Sequence, residues 1–398
     1  MDITIIPGKL HGSIQAVPSK SHAHRLLICA AFADEPTDII CRQSNRDIDA
    51  TIRCLNSLGA EIQHTDYGYR VLPVETYPAN AYLDCDESGA TLRFLLPIVC
   101  ALGIETIFTM RGKLASRPIS PLLIELERHG CTLTRTAENE IKCAGKLLPG
   151  HYVIDGSISS QFVSGLLFAM ALMSGNSRLS VTGQLASQPY IELTQQVLST
   201  FGVQTHDFCV NGHQKFLSPG AISVEGDWSN AAFFLCAAQL GNPILVTELN
   251  PNSTQGDKAI IEILRAMRTN CTIDVTNVPD LFPILAIVAG ASHGARFINI
   301  SRLRHKESDR VTAVESLLNQ LGAATTVEAD SFTVIPASYN SCNIESYCDH
   351  RIAMAAAIAA TVATGPITIR NAECVAKSYP SYWDDYKKLG GIYEQHLQ

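Results

Sequence analysis

The chain has 398 residues, 46% of them hydrophobic and 17% charged, and a formal net charge of −8. That length is too great for one core of ordinary size and predicts two domains, while the composition excludes a disordered chain. The acidic balance argues against a general binder of nucleic acid or anionic membrane, so any anion site must be built locally from a few concentrated cations.

In chain order, Met1 to Pro7 alternates as a strand and contains no signal-peptide core. A unit then recurs six times, each copy a polar or small-residue triplet followed by an apolar helix. The triplets are Ser19-Lys20-Ser21, Glu87-Ser88-Gly89, Ser159-Ser160-Gln161, Asp227-Trp228-Ser229, Pro279-Asp280 before Leu281, and Asp349-His350-Arg351. The steps between them are 69, 72, 68, 52 and 69 residues. A second, more amphipathic helix follows in each unit: Ile48 to Leu58, Ile119 to His129, Tyr190 to Phe201, Asp257 to Thr269, Ser308 to Leu321 and Tyr382 to Leu389. Each ends at a residue suited to left-handed backbone: Gly59, Gly130, Gly202, Asn270, Gly322 and Gly390. Short β-type runs between the helices complete a β-α-β-α-β-β unit. Six units divide into three plus three, with a seam near Val224 to Asp227.

The first helix of each unit is apolar all round and is expected in a core. Their polar starts should then cluster, and clustered helix N-termini favour anions. The cations Lys20, Arg25, Arg93, Arg117, Lys306, Arg310, Arg351 and Lys377 lie at these starts or in loops beside them. Taken singly, each has an ordinary explanation; Arg25, for example, could pair with Asp47 or Asp49. Ser187 suits a helix cap as well as an anion ligand, Asp280 suits an N-cap, and Ser308 suits the cap of the helix behind Arg304 to Arg310. Together the cations point to an anionic small molecule with more than one negative group.

Thirteen cysteines occur without a C-x-x-C pair, many in apolar helical patterns, which suits reduced thiols in a cytoplasmic protein. No nucleotide loop or metal-ligand spacing is present, so no cofactor is expected. His22 and His24 face different ways on a helix and are expected to play structural or supporting parts. No run reaches transmembrane length without a polar break.

The motifs Pro18-Ser19-Lys20-Ser21 with Arg25, Ser88-Gly89-Ala90-Thr91-Leu92-Arg93, Ser116-Arg117-Pro118-Ile119, Ser159-Ser160-Gln161-Phe162, Gln188-Pro189-Tyr190, Lys306-Glu307-Ser308-Asp309-Arg310 and Asp349-His350-Arg351 occur in this order. In them the chain resembles the 5-enolpyruvylshikimate-3-phosphate synthase family along essentially its whole length. The resemblance implies a two-domain inside-out α/β barrel of three repeats per domain. One domain would comprise residues 1–18 and 227–398, the other 19–226, with two crossovers as hinge and the active site in the cleft. It implies transfer of the enolpyruvyl group of phosphoenolpyruvate to the 5-hydroxyl of shikimate 3-phosphate, by a cytoplasmic monomer that needs no cofactor, nucleic acid or membrane.

Residue by residue, the resemblance implies that Ser159, Ser160 and Ser187 hold the shikimate phosphate and Arg25 its carboxylate. Gln161 and Tyr190 would flank the ring, with Lys20, Ser21, Asp280 and Lys306 also on this substrate. Lys20, Gly89, Arg117, Gln161 and Lys377 would surround the phosphate of phosphoenolpyruvate, and Arg310 and Arg351 would clamp its carboxylate. Asp280, Lys306, Glu307 and Lys20 would handle protons. Three positions depart from the commoner family pattern: Glu87, Ala90 and Phe94, beside the phosphoenolpyruvate site, which leaves sensitivity to the inhibitor glyphosate open. The nearest rival, the UDP-N-acetylglucosamine enolpyruvyl transferases, usually carries a reactive Cys five residues before an Arg-Pro pair; here that position is Gly112, before Arg117-Pro118.

Overall fold

The computed structural model describes residues 1–396. Two compact units form, one of Met1–Val17 with Glu225–Gln398, the other of Pro18–Val224.

The chain opens with β1 (Asp2–Ile6) and β2 (Gly12–Gln15). The Pro18–Val224 unit then runs α1 (Lys20–Ala31), β3 (Thr37–Ile40), α2 (Arg46–Ser57), β4 (Glu61–Thr65) and β5 (Gly68–Leu72). Next come β6 (Asn80–Asp84), α3 (Gly89–Leu102), β7 (Glu105–Thr109), α4 (Ser120–Arg128), β8 (Cys131–Ala137) and β9 (Glu140–Gly145). The third repeat is β10 (His151–Asp155), α5 (Ser160–Leu172), β11 (Ser177–Thr182), α6 (Gln188–Thr200), β12 (Thr205–His206) and β13 (Cys209–Val210), and β14 (Ala221–Ser223) ends the unit. The other unit continues with α7 (Trp228–Gln239), β15 (Ile244–Thr247), α8 (Ile260–Ala266), β16 (Cys271–Asp274), α9 (Phe282–Ala291) and β17 (Ala295–Ile298). It closes with α10 (Arg310–Leu321), β18 (Ala324–Val327), β19 (Ser331–Ile335), β20 (Cys342–Glu345), α11 (His350–Ala360), β21 (Ile367–Arg370), α12 (Tyr382–Lys388) and β22 (Ile392–His396).

Each repeat makes its own sheet. In β6-β7-β9-β8, β10-β11-β13-β12 and β16-β17-β19-β18 a parallel pair, joined through the apolar helix, is extended by an antiparallel hairpin. The first repeat takes its leading strand from the far end of its unit, β14, in the order β14-β3-β5-β4. The last takes its final strand from the chain's start, in the order β20-β21-β1-β22. The fourth repeat does not complete the pattern. Its sheet has only β15 and β2, in parallel, because the chain passes from α8 to β16 with no hairpin between. This accounts for the 52-residue step in a series otherwise near 70.

The apolar helices α1, α3 and α5 lie in one core, and α7, α9 and α11 in the other. Helices α3 and α5 cross closely because Gly165 lacks a side chain; a Cβ there would collide with the Arg93 carbonyl oxygen. Side-chain oxygens cap the starts: Ser19, Ser88, Ser159, Asp227 and Asp349 each accept a backbone N–H from the first turn. Gly59, Gly130, Gly202, Gly322 and Gly390 all have positive φ after a second helix.

Four expectations change. The cap of α10 is Asp309, not Ser308, because the Ser308 hydroxyl is drawn 2.9 Å to Asp349 Oδ2. Asp280 does not cap α9, which begins at Phe282 without a side-chain cap. The helix expected over Asp257 to Thr269 is a 3₁₀ turn, Gly256–Ala259, followed by the short α8. Asn270 is not left-handed; its amide donates to the His293 carbonyl instead.

Candidate active site

In the Pro18–Val224 unit the three helix starts are joined by buried polar contacts. Lys20 Nζ pairs with Asp47 Oδ2 at 2.7 Å, a partner that the motifs did not indicate. Arg25, for which Asp47 or Asp49 was one possible partner, is held instead by a hydroxyl and two carbonyls. Its Nε donates to Thr194 Oγ1 (2.8 Å) and its Nη groups to the carbonyls of Ser21 (2.6 Å) and Tyr190 (2.8 Å), while the guanidinium lies 5.0 Å from the centre of the Phe94 ring. Burial pulls Arg25 down to about 10. Arg25 thus binds α1 to α6 and uses only part of its five-donor fork.

Arg93 on α3 donates to Gln161 Oε1 on α5 at 2.7 Å and to the Pro118 carbonyl at 3.3 Å. A Cβ on Gly89 would lie 3.1 Å from both Arg93 Nη1 and Arg117 Nη1, so two guanidinium groups flank the first turn of α3. A helix start flanked by two such cations is an anion site in its chemistry. Ser159 caps α5 by accepting from Gln161 N, while Ser160 is buried. Ser187 stands at the cap position of α6 but makes no capping bond, and its backbone is left-handed (φ 55°). Capping therefore does not account for its hydroxyl.

In the other unit, Asp280, Lys306, Glu307, Arg310, Asp349 and Arg351 converge. Arg310, 1% exposed, bonds three carboxylates: Asp280 Oδ1 at 2.6 Å, Glu307 Oε2 at 2.7 Å and Asp349 Oδ2 at 2.9 Å. Arg351 Nη2 reaches Asp280 Oδ2 at 3.2 Å, its Nε is buried without a hydrogen-bond partner, and Lys306 Nζ lies 3.5 Å from Asp280 Oδ1. Burial alone would raise the Asp280 carboxyl, but Arg351, Lys306 and Arg310 outweigh it and hold the group well below the usual carboxylate range. Burial brings Lys306 down to about 8, against the pull of Asp280. Lys377 is buried at the end of a 3₁₀ turn, Ala372–Lys377, and the next residue, Ser378, bonds Asn230 at the start of α7.

The sequence marked Asp47 only as a possible partner of Arg25, and Asp349 only as the lead of the sixth triplet. Asp47 lies two positions after the α2 cap, Asn45, in the first turn, where an acid suits the dipole and draws no notice. Asp349 leads the sixth triplet, a signal that could have been read as a shared cap and ion-pair partner. Among the described residues no cluster of three or more His, Cys, Asp or Glu could hold a metal ion, and no helix is long and apolar enough to cross a membrane.

Two chains of near-perfect coverage share this architecture: an EPSP synthase from Acinetobacter baumannii (TM-score 0.82, 24% identity, 100% of both chains covered) and an enolpyruvyl transferase from Streptomyces tendae (TM-score 0.79, 17% identity, 100% of this chain and 99% of that one). The fold is that of the enolpyruvyl transferases. Within that class, the family model for EPSP synthase (3-phosphoshikimate 1-carboxyvinyltransferase) matches residues 5–276 and 268–386. The 3-phosphoshikimate 1-carboxyvinyltransferases of Clostridium beijerinckii and Clostridium novyi are each 38% identical to the chain, with 99% of this chain and 98% of each relative covered. The chain belongs to the EPSP synthase family. The family match breaks and restarts at 268–276, where the fourth repeat lacks its hairpin. The alignment with the Clostridium beijerinckii relative runs over 429 positions against 398 residues here, in keeping with a shortened repeat.

Proposed function

We propose that this chain transfers the carboxyvinyl group of phosphoenolpyruvate to the 5-hydroxyl of shikimate 3-phosphate and releases phosphate; the names of its relatives state carboxyvinyl transfer to 3-phosphoshikimate for them. The observation that carries the residue-level reading is the convergence of Arg310, Arg351 and Lys306 on Asp280, with Glu307 on the same arginine. A planar guanidinium matches a carboxylate bidentately, so Arg310 and Arg351 suit the carboxylate of phosphoenolpyruvate. Lys20, the Gly89 N–H, Arg117, Gln161 and Lys377 suit its phosphate. Ser159, Ser160 and Ser187 suit the shikimate phosphate, Arg25 its carboxylate, and Ser21, Gln161 and Tyr190 its ring. Of these binding groups Arg310, Arg351 and Lys377 belong to the unit that carries both chain ends, and the rest to the Pro18–Val224 unit.

In the addition step the 5-oxygen bonds to C2 and C3 gains a proton, giving a tetrahedral intermediate. In the elimination step C2 loses phosphate and C3 returns a proton, restoring the double bond. Asp280, held ionised by three cations, is a weak base that can orient the hydroxyl. Lys306, near 8, is matched to take the hydroxyl proton at neutral pH. Glu307 is placed in the reading as the donor to C3. When the substrate carboxylate draws Arg310, Glu307 loses a cationic neighbour and gains anionic ones, a change that favours a carboxyl holding its proton. Lys20, Arg117 and Lys377 would stabilise the departing phosphate.

Thirteen free thiols suit a reducing compartment, so we read the protein as cytoplasmic; we also read it as a monomer, because every group the reaction requires is on one chain. Gly112 has positive φ (52°), a backbone conformation that side-chain-bearing residues rarely adopt, so the position does not suit the reactive cysteine of the rival transferases. The test is phosphate release from the two substrates together, compared with either alone and with UDP-N-acetylglucosamine in place of shikimate 3-phosphate. Release with the nucleotide sugar, or with phosphoenolpyruvate alone, would overturn the reading.

A further inference from the structure

Two rungs, one helical turn apart, join α1 to α2. Lys20 and His24 are four residues apart on α1, as are Asp47 and Thr51 on α2, so each pair shares a helix face. The first rung is the Lys20–Asp47 ion pair at 2.7 Å, and the second is His24 Nδ1 to Thr51 Oγ1, also 2.7 Å. The second rung continues into α3. Thr51 Oγ1 lies 2.7 Å from Thr91 Oγ1, and the Thr91 hydroxyl donates to Ser88 Oγ, the cap of α3, at 2.7 Å. All four side chains in this series are sealed from solvent.

Each hydroxyl has one proton, so the series has a direction. Thr91 donates to Ser88 and must accept from Thr51; Thr51 must then accept from His24 Nδ1–H. His24 suits this part as a neutral ring, since burial holds it down to about 3 and its Nε2 has no hydrogen-bond partner. Thr51 is the only link between the helix bearing Lys20 and the cap of the helix bearing Gly89 within this series.

We propose that Thr51 is a positioning residue that holds the start of α3 in register with Lys20, and so fixes the spacing of the groups around the phosphate of phosphoenolpyruvate. The inference rests on the assignment of Lys20, Gly89 and Arg117 to that phosphate. Removing the Thr51 hydroxyl leaves the His24 N–H without an acceptor and the Thr91 oxygen without its donor in a buried site, and the helices must separate or shift to admit water. Charge-assisted bonds to a phosphate weaken with sub-ångström displacement of the donors, so the shift should register in substrate affinity as well as in stability.

The experiment compares Thr51→Val, which keeps the shape without the hydroxyl, with Thr51→Ser, which keeps the hydroxyl without the methyl. The readouts are KM for each substrate, kcat and Tm. Thr51→Val should raise KM for phosphoenolpyruvate about tenfold and lower kcat, because the same groups act on the departing phosphate, with KM for shikimate 3-phosphate within about twofold of wild type. Thr51→Ser should restore both. Thr91→Val should give the same change, and the double valine variant no more than either single one, because both cut one series. A Thr51→Val protein with lowered Tm and unmoved KM would overturn the proposal, as would a serine variant as impaired as the valine one. If Thr51→Val does not fold, Thr91→Val against Thr91→Ser makes the same comparison one link along. An inactive wild type would overturn the functional reading and this inference with it; an active wild type with unmoved KM values would overturn this inference alone.

Discussion

Arg310 Nε sits 2.9 Å from Asp349 Oδ2, with the arginine 1% exposed and the aspartate fully enclosed. The same carboxylate caps α11 through Arg351 N at 3.0 Å and accepts from Ser308 Oγ at 2.9 Å. Two triplet motifs far apart in sequence are thereby fixed to each other, and the two arginines proposed to clamp one carboxylate share an anchor. Asp349→Ala removes a cap and leaves a buried guanidinium short of one charge. The expected loss is about 3–5 kcal/mol in urea unfolding, the usual result of breaking a buried pair from one side. A loss below about 1 kcal/mol would mean that Asp280 and Glu307 satisfy Arg310 unaided.

The sign of the acid dependence follows. Burial would raise the Asp349 carboxyl, but Arg310 and His350 hold it below the ordinary value. A depressed folded-state pKa contributes stability at neutral pH that is lost as pH falls through it. Wild type should therefore lose stability on acidification below about pH 4, and Asp349→Asn should lose less over that range. Parallel acid-unfolding curves for the two proteins would contradict this.

Lys306 offers a test on the alkaline side. Burial lowers it to about 8, and the proposed base is its neutral form. The neutral fraction rises with pH, so kcat/KM should increase to a plateau above about pH 8. Lys306→Arg stays charged throughout, so it should lose that limb and fall in kcat by about 10²–10⁴. A profile that declines through pH 8 would instead require the protonated amine.

The repeats were legible because their signals are local: a cap, an apolar helix, a glycine stop. Pairings such as β14 with β3 and β1 with β21 join distant segments, and nothing in either strand names its partner. Ser308 was a sound cap candidate displaced by one residue when a tertiary bond to Asp349 claimed its hydroxyl. The cations at the helix starts were visible as a set, but their partners were not. Arg25 is held by a hydroxyl and two carbonyls, groups every sequence has in plenty. The short fourth step was visible too, yet its cause, a missing hairpin, shows only in the sheets.

That missing hairpin leaves β15 with a neighbour on one side only and Leu245 62% exposed. A two-stranded sheet is marginal by itself, and edge amides open readily. The amides of Ile244–Thr247 should exchange with deuterium roughly a hundredfold faster than those of β11, which lies between β10 and β13. Equal protection would show that the open edge is covered in solution.

Glu307 carries the most specific chemical claim. Its Oε2 accepts from Arg310 Nη2 at 2.7 Å, so the free protein keeps it paired with the cation that the substrate carboxylate is proposed to take. Glu307→Gln keeps the shape and a hydrogen-bonding oxygen but removes the transferable proton. Shikimate 3-phosphate should bind almost normally, because Glu307 is not among the groups proposed for its phosphate or carboxylate. Turnover should fall by about 10²–10⁴, the usual worth of a positioned general acid. With both substrates in deuterated water, wild type should place deuterium on C3 as the methyl of the intermediate returns to a methylene, and the variant should do so more slowly by the same factor. If exchange and turnover both persist at wild-type rates, Glu307 serves only to hold Arg310, and the proton at C3 must come from another group, with Lys20 the next candidate.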